Sequence, residues 1–184
     1  MSGTAHWGLA VCAVLLSSCG AKAAPEARLA AFEAQLEANP SATAVLQSWC
    51  DAHAPQGTRI VARQVQPAPV LPPADARQAL AIKPGEAVRY RRVQLTCGGR
   101  VLSNADNWYL PGKLTDAMNE TLEHTETPFG RAVAALHFSR RNFSTDFLPP
   151  KGKNVLRHSA VLLTDKGQPF SFVVETYTRE ILGH

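Results

Sequence analysis

Two charged residues sit where charge is expensive. Glu175 lies in FSFVVETYTREI (Phe170–Ile181), and Arg91 lies in EAVRYRRVQLTC (Glu86–Cys97); both runs read as strands. Side chains alternate between the faces of a strand. Ser171, Val173, Glu175 and Tyr177 therefore share one face, and Arg89, Arg91, Val93, Leu95 and Cys97 share another. Both sets are apolar enough to turn inward, so Arg91 and Glu175 are expected on the interior side of one sheet. Two chemistries fit. One is a structural ion pair, which need not stabilise the fold because desolvation is costly for each ion. The other is a closed anion site: the planar guanidinium fork matches a carboxylate bidentately. In such a site a carboxyl held in apolar surroundings suits a general acid or a partner for a hydroxyl. Spacing alone leaves both open.

Other chemistries have no signature. G-x-S-x-G, the P-loop and G-x-G-x-x-G are absent from the sequence. The histidines, at 6, 53, 124, 137, 158 and 184, show no H-E-x-x-H or similar spacing, and there is no C-x-x-C, so neither a metal nor a cofactor is expected. The 184 residues are 45% hydrophobic and 18% charged, which suits one globular domain. The net charge is +4, but the basic residues are scattered. The doublets Arg91-Arg92 and Arg140-Arg141 are too short for a basic tract, so no nucleic-acid partner is expected.

The first residues read as a leader. An apolar run, Trp7–Leu16, is too short to span a bilayer and has the form of a secretory h-region, although MSGTAH before it carries no Lys or Arg. LSSC (Leu16–Cys19) has the form of a lipobox, giving a signal peptide over 1–19 with Cys19 lipidated; AKA (Ala21–Ala23) offers an alternative cleavage after 23. Export is expected, with the protein periplasmic or held at the outer membrane as a lipoprotein, and its domain running over 24–184. In that setting Cys50 and Cys97 form an even pair, either a disulfide or two buried thiols.

The elements that must position Arg91 and Glu175 follow from periodicity. Leu29, Phe32 and Leu36 mark one helix (24–40); Ser41 caps a second, with Val45, Leu46, Trp49 and Cys50 on its apolar face. Thr58–Val65 reads as a strand and the Pro-rich Gln66–Asp75 as a loop. Glu86–Cys97, Gly98-Gly99 and Val101–Pro111 form a hairpin; Asn154–Thr164, Asp165–Pro169 and Phe170–Ile181 form another. Between them lie helices over 114–125 and 127–136, then a strand over 137–148. Hairpins pair antiparallel, and helices gathered at the start and centre argue α+β rather than alternating βαβ.

Four of these segments, in order, carry a resemblance. YRRVQLTC, ADNWYLP with the following LT, TPFGRAV, and LRHSAVLLTDKGQPFSFVVETYT resemble the strands and T-P-L-G segment of the chorismate lyase family, which is related in fold to the UTRA ligand-binding domains of transcription regulators. The resemblance covers about half the chain. It implies a single α+β domain: an antiparallel sheet of about six strands, helices covering one side, and flaps over a buried ligand cavity. It implies a carbon-oxygen lyase acting without cofactor, a chorismate pyruvate-lyase that makes 4-hydroxybenzoate and pyruvate. Arg91 would hold the ring carboxylate, Glu175 would move a proton or bond the aromatic hydroxyl, and Phe129 and Gly130 would line the pocket. Phe129, in place of the family's Leu, also fits an ordinary core aromatic. The alternative is an exported binding protein for a small aromatic carboxylate without turnover. The relatives imply a monomer.

Overall fold

The computed structural model describes residues 24–65 and 70–183. Residues 1–23, with Cys19 and both expected cleavage positions, lie outside them. Six strands, β1 (Ile60–Val65), β2 (Arg89–Cys97), β3 (Arg100–Tyr109), β4 (Ser139–Phe147), β5 (Asn154–Leu163) and β6 (Pro169–Thr178), form one open antiparallel sheet in the order β1-β2-β3-β6-β5-β4. The helices are α1 (Pro25–Ala38), α2 (Ala42–His53), α3 (Ala74–Ala79), α4 (Asp116–His124) and α5 (Phe129–Ala132). The architecture is α+β in a single domain.

Two hairpins make the centre of the sheet. The β2–β3 turn runs through Gly98 and Gly99 at φ +54° and +86°, a left-handed pair that glycine adopts without a Cβ clash. The hairpins then join along β3 and β6, with Ala105 opposite Glu175 and Asn107 opposite Val173. Since Arg91 stands opposite Asn107, and directly opposed residues share a face, Arg91 and Glu175 lie on one side of the sheet.

That side is the covered one. Phe32 and Leu36 of α1 and Val45, Leu46 and Trp49 of α2 pack on Val93, Leu95, Ala105 and Tyr177. Three helix starts have a local reason: Pro25 occupies the first turn of α1, the Ser41 hydroxyl accepts from the Ala44 amide at 3.3 Å to cap α2, and Thr115 caps α4 through the Met118 amide. Near its end, α2 is fastened twice. Cys50 is disulfide-bonded to Cys97 of β2, with Cα atoms 5.8 Å apart, and the Trp49 indole donates to the Ile181 carbonyl at 2.8 Å.

The short helix α3 lies on the opposite face, where Ala76 and Leu80 pack on Trp108, Val161 and Phe172. Sequence periodicity places no element there. Six residues after a Pro-rich stretch are too few for a 3.6-residue period to show.

Candidate functional site

Between the covered face and the helices is a cavity. Arg91, Asn107, Arg140 and Glu175 reach it from the sheet, Phe129 and Gly130 from α5, and Ser41 and Thr43 from the start of α2; Val93, Leu95, Leu162 and Val173 supply apolar wall. It offers about 40 Å³ to the centres of water molecules, room for about three of them. A ring-sized ligand therefore enters only when the walls part.

Arg91 and Glu175 share this cavity without pairing. The buried Arg91 side chain turns toward the end of α4: its Nε donates to the Leu122 carbonyl at 2.9 Å, and its Nη2 to the carbonyls of Thr127 at 3.1 Å and Thr125 at 3.4 Å. The Leu122 and Thr125 carbonyls stand at the C-terminus of α4, where a helix leaves its carbonyls unsatisfied and partially negative, and the Thr127 carbonyl lies just beyond it. Among the described residues no carboxylate pairs with Arg91. Burial pushes its guanidinium below the ordinary value.

Glu175 is held instead by Arg140 of β4, a residue the sequence offered only as half of a basic doublet. Arg140 Nη2 donates to Glu175 Oε2 at 2.9 Å, with the two side chains 4% and 6% exposed. The same oxygen accepts the Tyr177 hydroxyl at 3.0 Å, and the Phe32 ring stands edge-on to Tyr177 at 5.1 Å, so α1 fixes the hydroxyl that fixes the carboxylate. Arg140 Nη2 also lies 3.0 Å from His158 Nδ1, which makes that nitrogen the acceptor. Burial, then the Arg140 charge, hold His158 below its ordinary pKa, while burial and then Glu175 push the Tyr177 phenol well above its own.

Asn107 was missed as well, although its place beside Ala105 and Tyr109 on an alternating strand is a usable signal. Its carbonyl accepts the Ser171 hydroxyl at 2.7 Å, and its Nδ2 has no partner. Phe129 lines the cavity and packs against Tyr109 and Phe170 at 5.5 and 6.3 Å. Gly130 lets α5 close on α2, since a Cβ there would stand 3.1 Å from Ser41 Oγ. Among the described residues no group of three or more His, Cys, Asp or Glu side chains is placed to hold a metal.

The fold is that of the UTRA domains. The chain is similar to a possible transcriptional regulator, YydK, of Bacillus subtilis, with a TM-score of 0.51 and 15% identity over 70% of this chain and 61% of that one. It is also similar to the effector domain of PhnF from Mycobacterium smegmatis, with a TM-score of 0.53 and 12% identity over 76% of this chain and 91% of that one. The chain thus spans about three fifths of YydK's length. No family model matches it. The uncharacterized protein y4mC of Sinorhizobium fredii is 41% identical over 177 residues, covering 84% of this chain and 75% of its own length. The chain belongs to the family of that protein.

These findings correct the expected activity. The structural relatives are a regulator and an effector domain, and neither they nor y4mC support the lyase, chorismate or lipoprotein expectations.

Proposed function

We propose that this chain is a binding domain for a small carboxylate anion, seated in the cavity with its charge toward Arg91. The observation that carries this reading is the charge of the cavity. Two guanidinium groups line it and one carboxylate does, and that carboxylate is spent on Arg140. Arg91 therefore contributes a net positive charge to a half-open, largely apolar space. The helix-end carbonyls satisfy its hydrogen bonds but supply only about half a unit of negative charge. A buried cation left in this condition favours an anionic guest. The apolar walls, with Phe129 and Phe138 among them, suit a flat aromatic body, and the effector domain of PhnF shows the same fold in a domain named for binding an effector.

Benzoate is the simplest test. The full chain should gain thermal stability with benzoate concentration, as any ligand that binds only the folded state requires. Arg91→Gln, checked for folding by circular dichroism, should lose that gain while Arg91→Lys keeps part of it. No stabilisation by benzoate or any other monocarboxylate would overturn the reading. We further propose an exported setting, supported by the apolar run Trp7–Leu16 and the joined Cys50–Cys97 pair. Fractionation of cells making the tagged full chain tests it, and retention with cytoplasmic markers would refute it.

A further inference from the structure

The two margins of the sheet are finished differently. At β1 the Ala62 amide donates to the Glu126 carbonyl at 2.8 Å, and the Gln64 amide donates to the carbonyls of Leu122, Glu123 and Thr125, so the chain at the end of α4 covers that edge. β4 has no such cover. Among the described residues no turn or loop makes a backbone hydrogen bond along Ser139–Phe147, and most of the strand is exposed. An edge of this kind leaves a row of N–H and C=O groups free to bond another strand. Phe143 and Phe147 stand on it, 45% and 60% exposed.

The bulge between Asn142 and Ser144 decides which side chains this edge presents together. Arg141 and Asp146 are five residues apart, an odd spacing that puts side chains of a regular strand on opposite faces. The extra residue, Phe143, shifts the alternation by one. Arg141 stands opposite Val161, which packs on the α3 side, and Asp146 shares a hollow on that same side with Pro73, Asp75 and Phe172. Phe143 is on this side too, its ring 5.4 Å from that of Phe172. Arg141 and Asp146 are both exposed, and among the described residues neither is in an ion pair, although Arg157 stands directly opposite Asp146 on β5.

We propose that β4 is the pairing edge of a two-fold dimer, and that its occupant is β4 of a second copy of this chain. Antiparallel pairing about a point between Phe143 and Ser144 sets Arg141 of each copy opposite Asp146 of the other, and Asn142 opposite Thr145. A two-fold contact occurs twice, so one ion pair becomes two. The Phe143 rings of the two copies lie beside the axis on one face of the joined sheet. Shifted by one residue either way, the pairing sets Arg141 against Thr145 or Phe147 and leaves it without a carboxylate, so the charges fix the register. The dimer departs from the monomer that the family resemblance implies, and it does not depend on what fills the cavity. A contact confined to one strand falls in the class of weak interfaces, below about 1,200 Å², so monomer and dimer exchange at micromolar concentrations.

Sedimentation equilibrium of the full chain tests this. The unaltered chain should pass from monomer to dimer between about 1 and 200 μM. Arg141→Asp and Asp146→Arg each turn two attractive pairs into two repulsive ones, and each should weaken the dimer by at least about tenfold. Both positions are exposed, so circular dichroism and melting of the variants should match the parent. Mixed in equal amounts, the two variants should dimerise with each other, because acid then faces base at both ends of the contact. A chain that stays monomeric at the highest concentration would overturn the proposal. A dimer that neither variant weakens would overturn it too, since the contact would then lie on another face. So would two weakened variants that fail to rescue each other when mixed.

Discussion

Replacing Glu175 with Gln tests the account of the Arg140–Glu175 pair directly. Removing one partner of a buried pair typically costs about 3–5 kcal/mol, because the other charge stays buried without compensation. Gln keeps a carbonyl oxygen where Oε2 stood, able to accept from Arg140 and from Tyr177. Part of the loss is thereby recovered, and about 2–3 kcal/mol is expected. For a domain of this size each kcal/mol moves the midpoint by about 2–4 °C, so Tm should fall by about 4–12 °C. Thermal and urea melts followed by circular dichroism measure it. The control is a double variant, Glu175→Gln with Arg140→Met, which removes the stranded charge together with its partner. It should be more stable than the single variant, since apolar replacement of a whole buried pair is often neutral or better. A single variant that melts within a degree of the parent, or a double variant that melts below the single one, would refute this description of the pair.

Further expectations follow from other parts of the structure. Replacing Cys50 and Cys97 by Ala opens a loop of 47 residues and should cost about 2–4 kcal/mol, read as a lower urea midpoint that added reductant no longer changes. His158 is held neutral in the fold, below its ordinary 6.5, so the unfolded chain binds the extra proton as pH falls. Stability should thus be full above about pH 6.5 and decline below it, and His158→Gln should flatten that slope in urea melts from pH 8 to pH 5. Gly130→Ala places a methyl 3.1 Å from Ser41 Oγ, at the cavity wall. A weakened cap on α2 and a better helix former in α5 nearly cancel at about 1 kcal/mol each, so Tm should change little while benzoate loses affinity.

Much of the sheet was legible because its strands obey simple alternation. Arg91 and Glu175 could be placed on one inner face from the pattern of their apolar neighbours, and the Gly98–Gly99 turn from two adjacent glycines. What alternation does not report is who meets whom across strands that are distant in sequence. β4 pairs on only one side and is exposed along most of its length, so SRRNFSTDF shows no apolar face to mark Arg140 as inward. The pairing of Glu175 with Arg140, not Arg91, is decided by the strand order β6-β5-β4 and by α4, whose terminal carbonyls draw Arg91 aside. A bulge between Asn142 and Ser144 further obscures the pattern. The helix α3 escaped for a different reason, being shorter than two turns.

The double fastening of α2 makes the cavity mechanically lopsided. One wall is stitched to β2 by a covalent bond and to the chain's last turn through Trp49, whereas the facing wall, α5 with the turn that follows it, has neither restraint. That wall ends at His137, whose φ of +46° reverses the chain, and two residues later it has become β4. The 128–138 segment runs straight into Arg140, and the strand it enters is an outer one, at the margin of the sheet where Phe143 and Phe147 face solvent.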